Sequence, residues 1–471
     1  MKKLGKQTIK FDTPPTILET ACIAGPKEAN GPLAKYFDKC LDDEMWGEKS
    51  WEKAESKIVK QTVNSLISKS GIPSDKIEYC FAGDLLNQCI SSSFGLRELN
   101  VPFYGIFGAC STFVEGMQLA SVFIDGGINY AICSASSHFC SSERQFRFPL
   151  ELGNQRPPTT QWTVTACGSA ILARSGNGPY VTHITTGKIV DMGIKDANNM
   201  GAAMAPAAFD TLMTHFSDTG RKPTYYDAIL TGDLGHIGKD ILIDLCQNAG
   251  YNIKSVYNDC GVLIFDKSTQ DTHSGGSGCG CCASVFSGYL FEQLKTKKLN
   301  KILLIATGAL MNSMSSQQGE SIPGIAQAVA IENKLFIWKD LKTMDFWQNF
   351  DWMLLLRCFV VGGLICVIGQ ILIDKTKLTS ARILVLFVTI GTILGGLGIY
   401  PYLVKFAGCG ATVPLTGFGN NLAKGVIEAV KQNGFLGIFT GGLKASAGGI
   451  AAAVFFGYIA SLISKPKMKK Q

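Results

Sequence analysis

Three long apolar stretches, 352–373, 383–404 and 435–463, constrain this chain more than any other feature of its sequence. A helix needs about 20 apolar residues to cross a bilayer. The first stretch carries only Arg357, near its start, where the side chain can reach the headgroups. The second has no charge, and the third has only Lys444. Each therefore reads as a membrane-spanning helix. The polar, glycine-rich segment 408–421 between the last two fits no ordinary span. It is read as a re-entrant loop or as an interfacial one, because irregular backbone survives at membrane depth only against protein or water. Ala445, Gly449, Ala453 and Gly457 recur every fourth position in the third stretch, a face suited to close helix packing. Membrane partners are expected to pack on it. The charged flanks do not fix an orientation.

Charge divides the chain at the same place. Lys and Arg outnumber Asp and Glu 15 to 5 in residues 334–471, against 29 to 32 in residues 1–333. The basic excess belongs to the greasy tail, so it does not point to nucleic acid. A body of 1–333 and an all-α transmembrane domain of 334–471 follow. The beginning of the chain has no apolar signal core. The 16 cysteines are spread thinly, so reduced thiols in a cytosol-like compartment are expected.

Within the body, short apolar runs alternate with helical stretches, the pattern of an α/β fold. Expected strands are Ile77–Ala82, Phe103–Phe107, Tyr130–Ser134, Thr163–Ala173, Tyr180–Ile189, Ala228–Thr231, Ser255–Tyr257, Val262–Phe265 and Lys301–Thr307. An internal echo accompanies them. Ile77–Leu85 (IEYCFAGDL) matches Tyr226–Leu234 (YDAILTGDL), and Cys110 has a counterpart in Cys260. Two halves, about 1–175 and 176–333, suggest a duplicated unit.

The segment Val101–Ala120 (VPFYGIFGACSTFVEGMQLA) reads as a strand, a glycine turn, Cys110 and a helix beginning near Ser111. A thiol at a helix N-terminus meets free N–H groups and the positive end of the dipole, which favour thiolate and bind anions. The segment is similar to the acyl-accepting cysteine region of the thiolase and ketoacyl synthase III superfamily. That resemblance implies a duplicated thiolase-like (αβαβα) body. It also implies a catalytic His, which aligns with Gly232; His236 falls four residues late. The second catalytic region aligns with Thr272–Val285 (THSGGSGCGCCASV). The expectation is a body without catalytic residues, because a thiol lacking its base and oxyanion donors does not condense acyl groups.

Ser136–Pro149 (SSHFCSSERQFRFP), Gln155–Thr165 (QRPPTTQWTVT) and Val190–Leu212 (VDMGIKDANNMGAAMAPAAFDTL) carry a narrower likeness. With Phe107–Met117 they resemble the stage V sporulation protein AD family. Gly410–Val426 (GATVPLTGFGNNLAKGV) and Gly442–Ile450 (GLKASAGGI) resemble its small membrane companion, the AE family. The chain thus resembles a fusion of the two. The resemblance implies a dipicolinic acid-binding component of a complex in the inner membrane of the forespore and spore. Its role there is to move dipicolinate, as the calcium chelate, during sporulation and germination. A homodimer through the body is a further expectation, and no cofactor is implied. Two alternatives stand: a cysteine-dependent acyltransferase, and a structural plug of a membrane channel.

Dipicolinate is a flat pyridine with two carboxylates, so it needs an apolar slot with donors or cations at both ends. Cys110 and Ser111 at the helix start are candidates for one end. Arg144 or Arg156 (or Arg147), with His138 in support, are candidates for the other, and His236 is a sixth candidate contact. Asp191 and Asp196 lack the spacing of a calcium loop. The clustered thiols of Gly278–Cys282 read as packed structural cysteines rather than as a metal site.

Overall fold

The computed structural model describes residues 1–146, 156–333 and 352–442, together with 444, 445, 447 and 458. Contacts divide the chain into two compact units, Met1–Leu335 and Phe336–Gln471.

Ten strands carry the first unit. In chain order they are β1 (Thr16–Ala24), β2 (Tyr79–Asp84), β3 (Phe103–Gly105), β4 (Tyr130–Ser137), β5 (Ala166–Ala173), β6 (Tyr180–Thr185), β7 (Ala228–Thr231), β8 (Tyr257–Asp259), β9 (Lys301–Ala309) and β10 (Gly324–Glu332). The first five are ordered β3-β2-β4-β5-β1 and the second five β8-β7-β9-β10-β6. These are the same order shifted by five, and the strand directions match as well. β2 runs parallel to β3 and β4, and β5 is antiparallel to both β4 and β1. β7 runs parallel to β8 and β9, and β10 is antiparallel to both β9 and β6. Tyr180 pairs with Thr16 where β6 meets β1, and the short strand Thr8–Lys10 of the first half runs along β6 as well. The repeat in the sequence is thus a repeat of topology.

Two long strands, β1 and β10, escape the sequence reading. Both are almost wholly buried, so they lack the alternation that marks a half-exposed strand. Val262–Phe265, expected as a strand, lies instead in and after a helical turn, Cys260–Leu263, capped by the Asp259 side chain. A cap bond of this kind decides locally for helix over a weak strand propensity.

Longer helices that surround and fill the body include α1 (Trp51–Ser70), α2 (Thr112–Asp125), α3 (Phe139–Phe146), α4 (Met200–Thr219) and α5 (Gly235–Asn248). Helix α2 is the central one, with apolar residues on every side rather than on one stripe. Phe113, Val114, Met117 and Ile124 are all buried, each worth about 1.5–3 kcal/mol against exposure. Gln118, also buried, donates to the carbonyls of Thr185 and Ala328 at 3.1 and 3.0 Å, which ties α2 to β6 and β10 of the other half.

The second unit is helical. Among the described residues its helices include α6 (Trp352–Lys375), α7 (Ser380–Gly396), α8 (Tyr400–Ala407), α9 (Cys409–Thr412) and α10 (Leu415–Asn433). Met353–Lys375, with mean hydropathy 2.3, is long and apolar enough to cross a membrane. The span expected over 383–404 is not one helix. It breaks after Gly396, where Gly398 has φ +74°, and α8 leaves at 101° to α7. The segment 408–421 contains short helical pieces. It forms α9 and the start of α10, pinned by the buried Tyr400 hydroxyl, which bonds the Ala411 carbonyl (2.8 Å) and the Thr416 hydroxyl (2.6 Å). Glycines set the packing here. A Cβ on Gly391 would lie 1.9 Å from the Thr416 carbonyl, and one on Gly419 would lie 2.1 Å from that of Val388. Helices α7 and α10 therefore meet backbone to backbone. Most of the span expected at 435–463, with Gly449, Ala453 and Gly457, lies outside the described residues.

Candidate functional site

Cys110 stands where the sequence places it, between β3 and α2. The turn is tight: Ala109 has φ +50°, and the Ser111 and Thr112 hydroxyls bond back to the Gly108 and Ala109 carbonyls. Gly308 of β9 passes so close that a Cβ there would lie 2.4 Å from the Gly108 oxygen. The second half of the body thereby closes over the turn of the first.

The thiol is buried, and Sγ lies 4.0 Å from the hydroxyl of Ser277. Ser277 donates to the carboxylate of Asp233 at 3.0 Å, which also accepts from Thr307 Oγ (2.7 Å) and the Gly278 N–H (3.1 Å). Burial, and then the Asp233 carboxylate, hold the Cys110 thiol well above its ordinary range. The thiolate expected at a helix start is therefore not favoured. A helix terminus supplies about half a charge, and desolvation beside a full carboxylate outweighs it.

A cavity of about 440 Å3, its mouth included, opens beside the thiol. Leu85, Phe107, Phe146, Met200 and Met311 give it apolar walls. Cys110, Ser142, Glu143, Thr163 and Ser277 give it a polar edge, on which Thr163 Oγ donates to the Glu143 carboxylate at 2.9 Å.

Of the six residues expected at a ligand, the structure brings only Cys110 to this cavity. Ser111 is buried and ties the turn. His138 is buried: Nδ1 accepts the Cys140 N–H, which leaves Nε2 to donate to the Glu44 carbonyl at 2.7 Å. Burial lowers its pKa, so the ring is neutral. Arg144 is exposed, paired with Glu52 and stacked on Trp51. Arg156 pairs with Asp271 over the Trp162 ring. His236 begins α5, half-buried, with its pKa lowered by burial and by Lys267 and Lys239. Arg147 lies outside the described residues.

None of the five histidines is among the described residues that line the cavity. At Gly232, a Cβ would meet the Ala306 Cα at 3.1 Å and the Cys282 Cβ at 3.3 Å, so the position is crowded for any side chain. Asp196 accepts from the Asn198 N–H of its own turn, and Asp191 accepts from the Gly193 N–H and from the Ser321 hydroxyl. Cys279, Cys281 and Cys282 are buried; Cys279 and Cys282 stand at C-x-x-C spacing, yet no metal-holding group of three appears among the described residues. Sequence reasoning missed Asp233, Glu143, Thr163 and Ser277. Only Asp233 left a signal, as the acid of the repeated Gly-Asp-Leu.

Residues 5–332 match the family model for Stage V sporulation protein AD, and residues 354–463 match that for the SpoVAC/SpoVAEB sporulation membrane protein. The chain belongs to the stage V sporulation protein AD family. It is 43% identical over 333 residues to Stage V sporulation protein AD of Bacillus subtilis (strain 168), an alignment covering 70% of this chain and 98% of that protein. Its membrane part is 35% identical over 115 residues to Stage V sporulation protein AC of the same organism, covering 23% of this chain and 77% of that one. The sequence motifs named the AE family for this part; the curated relative is AC. The chain is a fusion of AD-like and AC-like modules, which associates the AD body with the membrane. Among solved structures it is similar to a histidine-substituted form of OleA from Xanthomonas campestris, with TM-score 0.45 and 13% identity, covering 70% of this chain and 99% of that one. An acetamide-bound form gives TM-score 0.44 and 12% identity, covering 70% of this chain and 100% of that one.

Proposed function

We propose that this chain is a non-catalytic receptor for dipicolinate, tethered by its own helices to a spore membrane complex that moves the compound, as its calcium chelate, into and out of the spore. The observation that carries the reading is the cavity at Cys110. Phe107, Phe146, Met200 and Met311 offer a flat ring apolar walls, and the Ser142 hydroxyl, buried with no partner among the described residues, offers a carboxylate a donor at the polar edge. A thiol kept protonated by burial and Asp233 speaks against an acyltransferase, which needs the thiolate. Family membership supports the inner membrane of the forespore as the site of the complex. The edge strand β3, with Phe103 and Tyr104 exposed, supports pairing of two bodies into a homodimer.

The test is calorimetric titration of the full chain in detergent with dipicolinate, with and without Ca²⁺. Saturable binding is expected. It should be abolished in Cys110→Leu, which fills the slot, and largely kept in Cys110→Ala. No saturable heat under either condition would leave the structural plug as the better reading. Turnover of an acyl thioester that Cys110→Ser abolishes would establish the enzyme instead.

A further inference from the structure

Behind the cavity wall lies a second polar cluster. The short strand Trp162–Thr163 sends successive side chains to opposite sides, so Thr163 edges the cavity and Trp162 points away from it. Phe139 covers one face of the indole, with ring centroids 3.7 Å apart and planes 4° from parallel. That leaves the other face for two cations: Lys27 Nζ lies 3.7 Å from the ring centre and the Arg156 guanidinium carbon 4.8 Å. They come from distant parts of the sequence and repel one another. Lys27 is held below its ordinary pKa first by burial and then by Arg156.

One indole face commonly attracts one cation, and crowding two together requires negative charge nearby. The carboxylate in contact is that of Asp271, which meets Arg156 Nη2 at 3.1 Å but is largely exposed and also lies 3.5 Å from His273. Glu28 and Glu44 also attract Lys27, though burial raises the pKa of each and weakens that hold. Donors are left over. Arg156 Nη1 and Trp162 Nε1 are both buried, and neither has a hydrogen-bond partner among the described residues. Buried N–H groups are nearly always satisfied, and two orphan donors on residues stacked against each other call for an acceptor.

We propose that Lys27, Arg156 and Trp162 form a second anion site, separate from the Cys110 cavity, that takes one oxyanion of the carboxylate or phosphate class. The guanidinium presents a fork to such a group and the ammonium a point charge, the usual pairing for oxyanion recognition.

Tryptophan fluorescence of the full chain in detergent tests this. One arm is titrated with inorganic phosphate and the other with dipicolinate, both in Cys110→Leu so that the cavity contributes nothing, with chloride matched for ionic strength. Saturation beyond the chloride control is expected in at least one arm, and the arm that saturates identifies phosphate or carboxylate as the source. Lys27→Gln and Arg156→Gln should each weaken it ten-fold or more, while Lys27→Arg, which keeps the charge, should bind and so controls for folding. Failure of both arms, or parental affinity in both Gln variants, would show that the cations only brace the indole. Because the arms omit the cavity, that failure leaves the dipicolinate reading untouched.

Discussion

The thiol of Cys110 and the carboxylate of Asp233 share one buried space, each delivered by a different half of the body. The first half holds an equivalent acid. Asp84 ends β2, and Asp233 follows β7, its topological counterpart. Asp84 spends its oxygens on Leu86 and Ser92 of its own half. Asp233 turns its own toward the cysteine, Ser277 and Thr307. Duplication supplied two similar acids, and only one of them meets the thiol.

Replacing Asp233 with Asn should therefore make Cys110 more acidic. Removing the negative neighbour favours thiolate, so the pH midpoint for alkylation of Cys110 should fall. Peptide mass spectrometry after iodoacetamide treatment at graded pH measures it. A midpoint that stays put would assign the depressed acidity of the thiol to burial alone.

Arg144→Ala should leave dipicolinate binding within two-fold of the parent. The guanidinium is exposed and engaged with Glu52 and Trp51, a surface pair of the kind worth about 0–1 kcal/mol to stability. A ten-fold loss in titration would put this arginine back at the ligand.

Gly308→Ala should destabilise the body by about 1–3 kcal/mol, the usual range for forced overpacking. The added Cβ would lie 2.4 Å from the Gly108 oxygen, so the strand and the Cys110 turn must separate. Thermal unfolding reads the loss, and an unchanged melting temperature would mean the turn is free to shift.

Glu28 should make stability fall as pH rises. Burial lifts its carboxyl to about 8 from 4.5. The folded chain keeps a proton that the unfolded chain releases, so this contribution is full below about pH 4.5 and is lost as pH climbs toward 8. Glu28→Gln has no proton to release, so its melting temperature should gain on the parent between about pH 5 and pH 8. A difference that shrinks over that interval would reverse the assignment.

In the membrane unit, Gly419→Leu should unseat α10 from α7, because a side chain there meets the Val388 carbonyl. Loss of heat resistance in detergent measures this, and a variant as resistant as the parent would show that the two helices do not need the contact.

The sequence by itself determined the division into body and membrane domain, because hydropathy and charge are sums over residues and need no coordinates. It also determined the duplication and the position of Cys110, since a strand, a turn and a helix start are local events. It missed β1 and β10, whose two buried faces erase the period of two, and the break at Gly398, where one residue of positive φ redirects an otherwise continuous apolar run. The site was the least legible part. Asp233, Ser277 and Thr163 reach Cys110 or its cavity from far along the chain; of two adjacent residues, Glu143 lines the cavity and Arg144 turns to Glu52, and His138 turns to the Glu44 carbonyl. Which side chains share a cavity depends on how the two halves pack face to face, and that packing is a property of the tertiary structure alone.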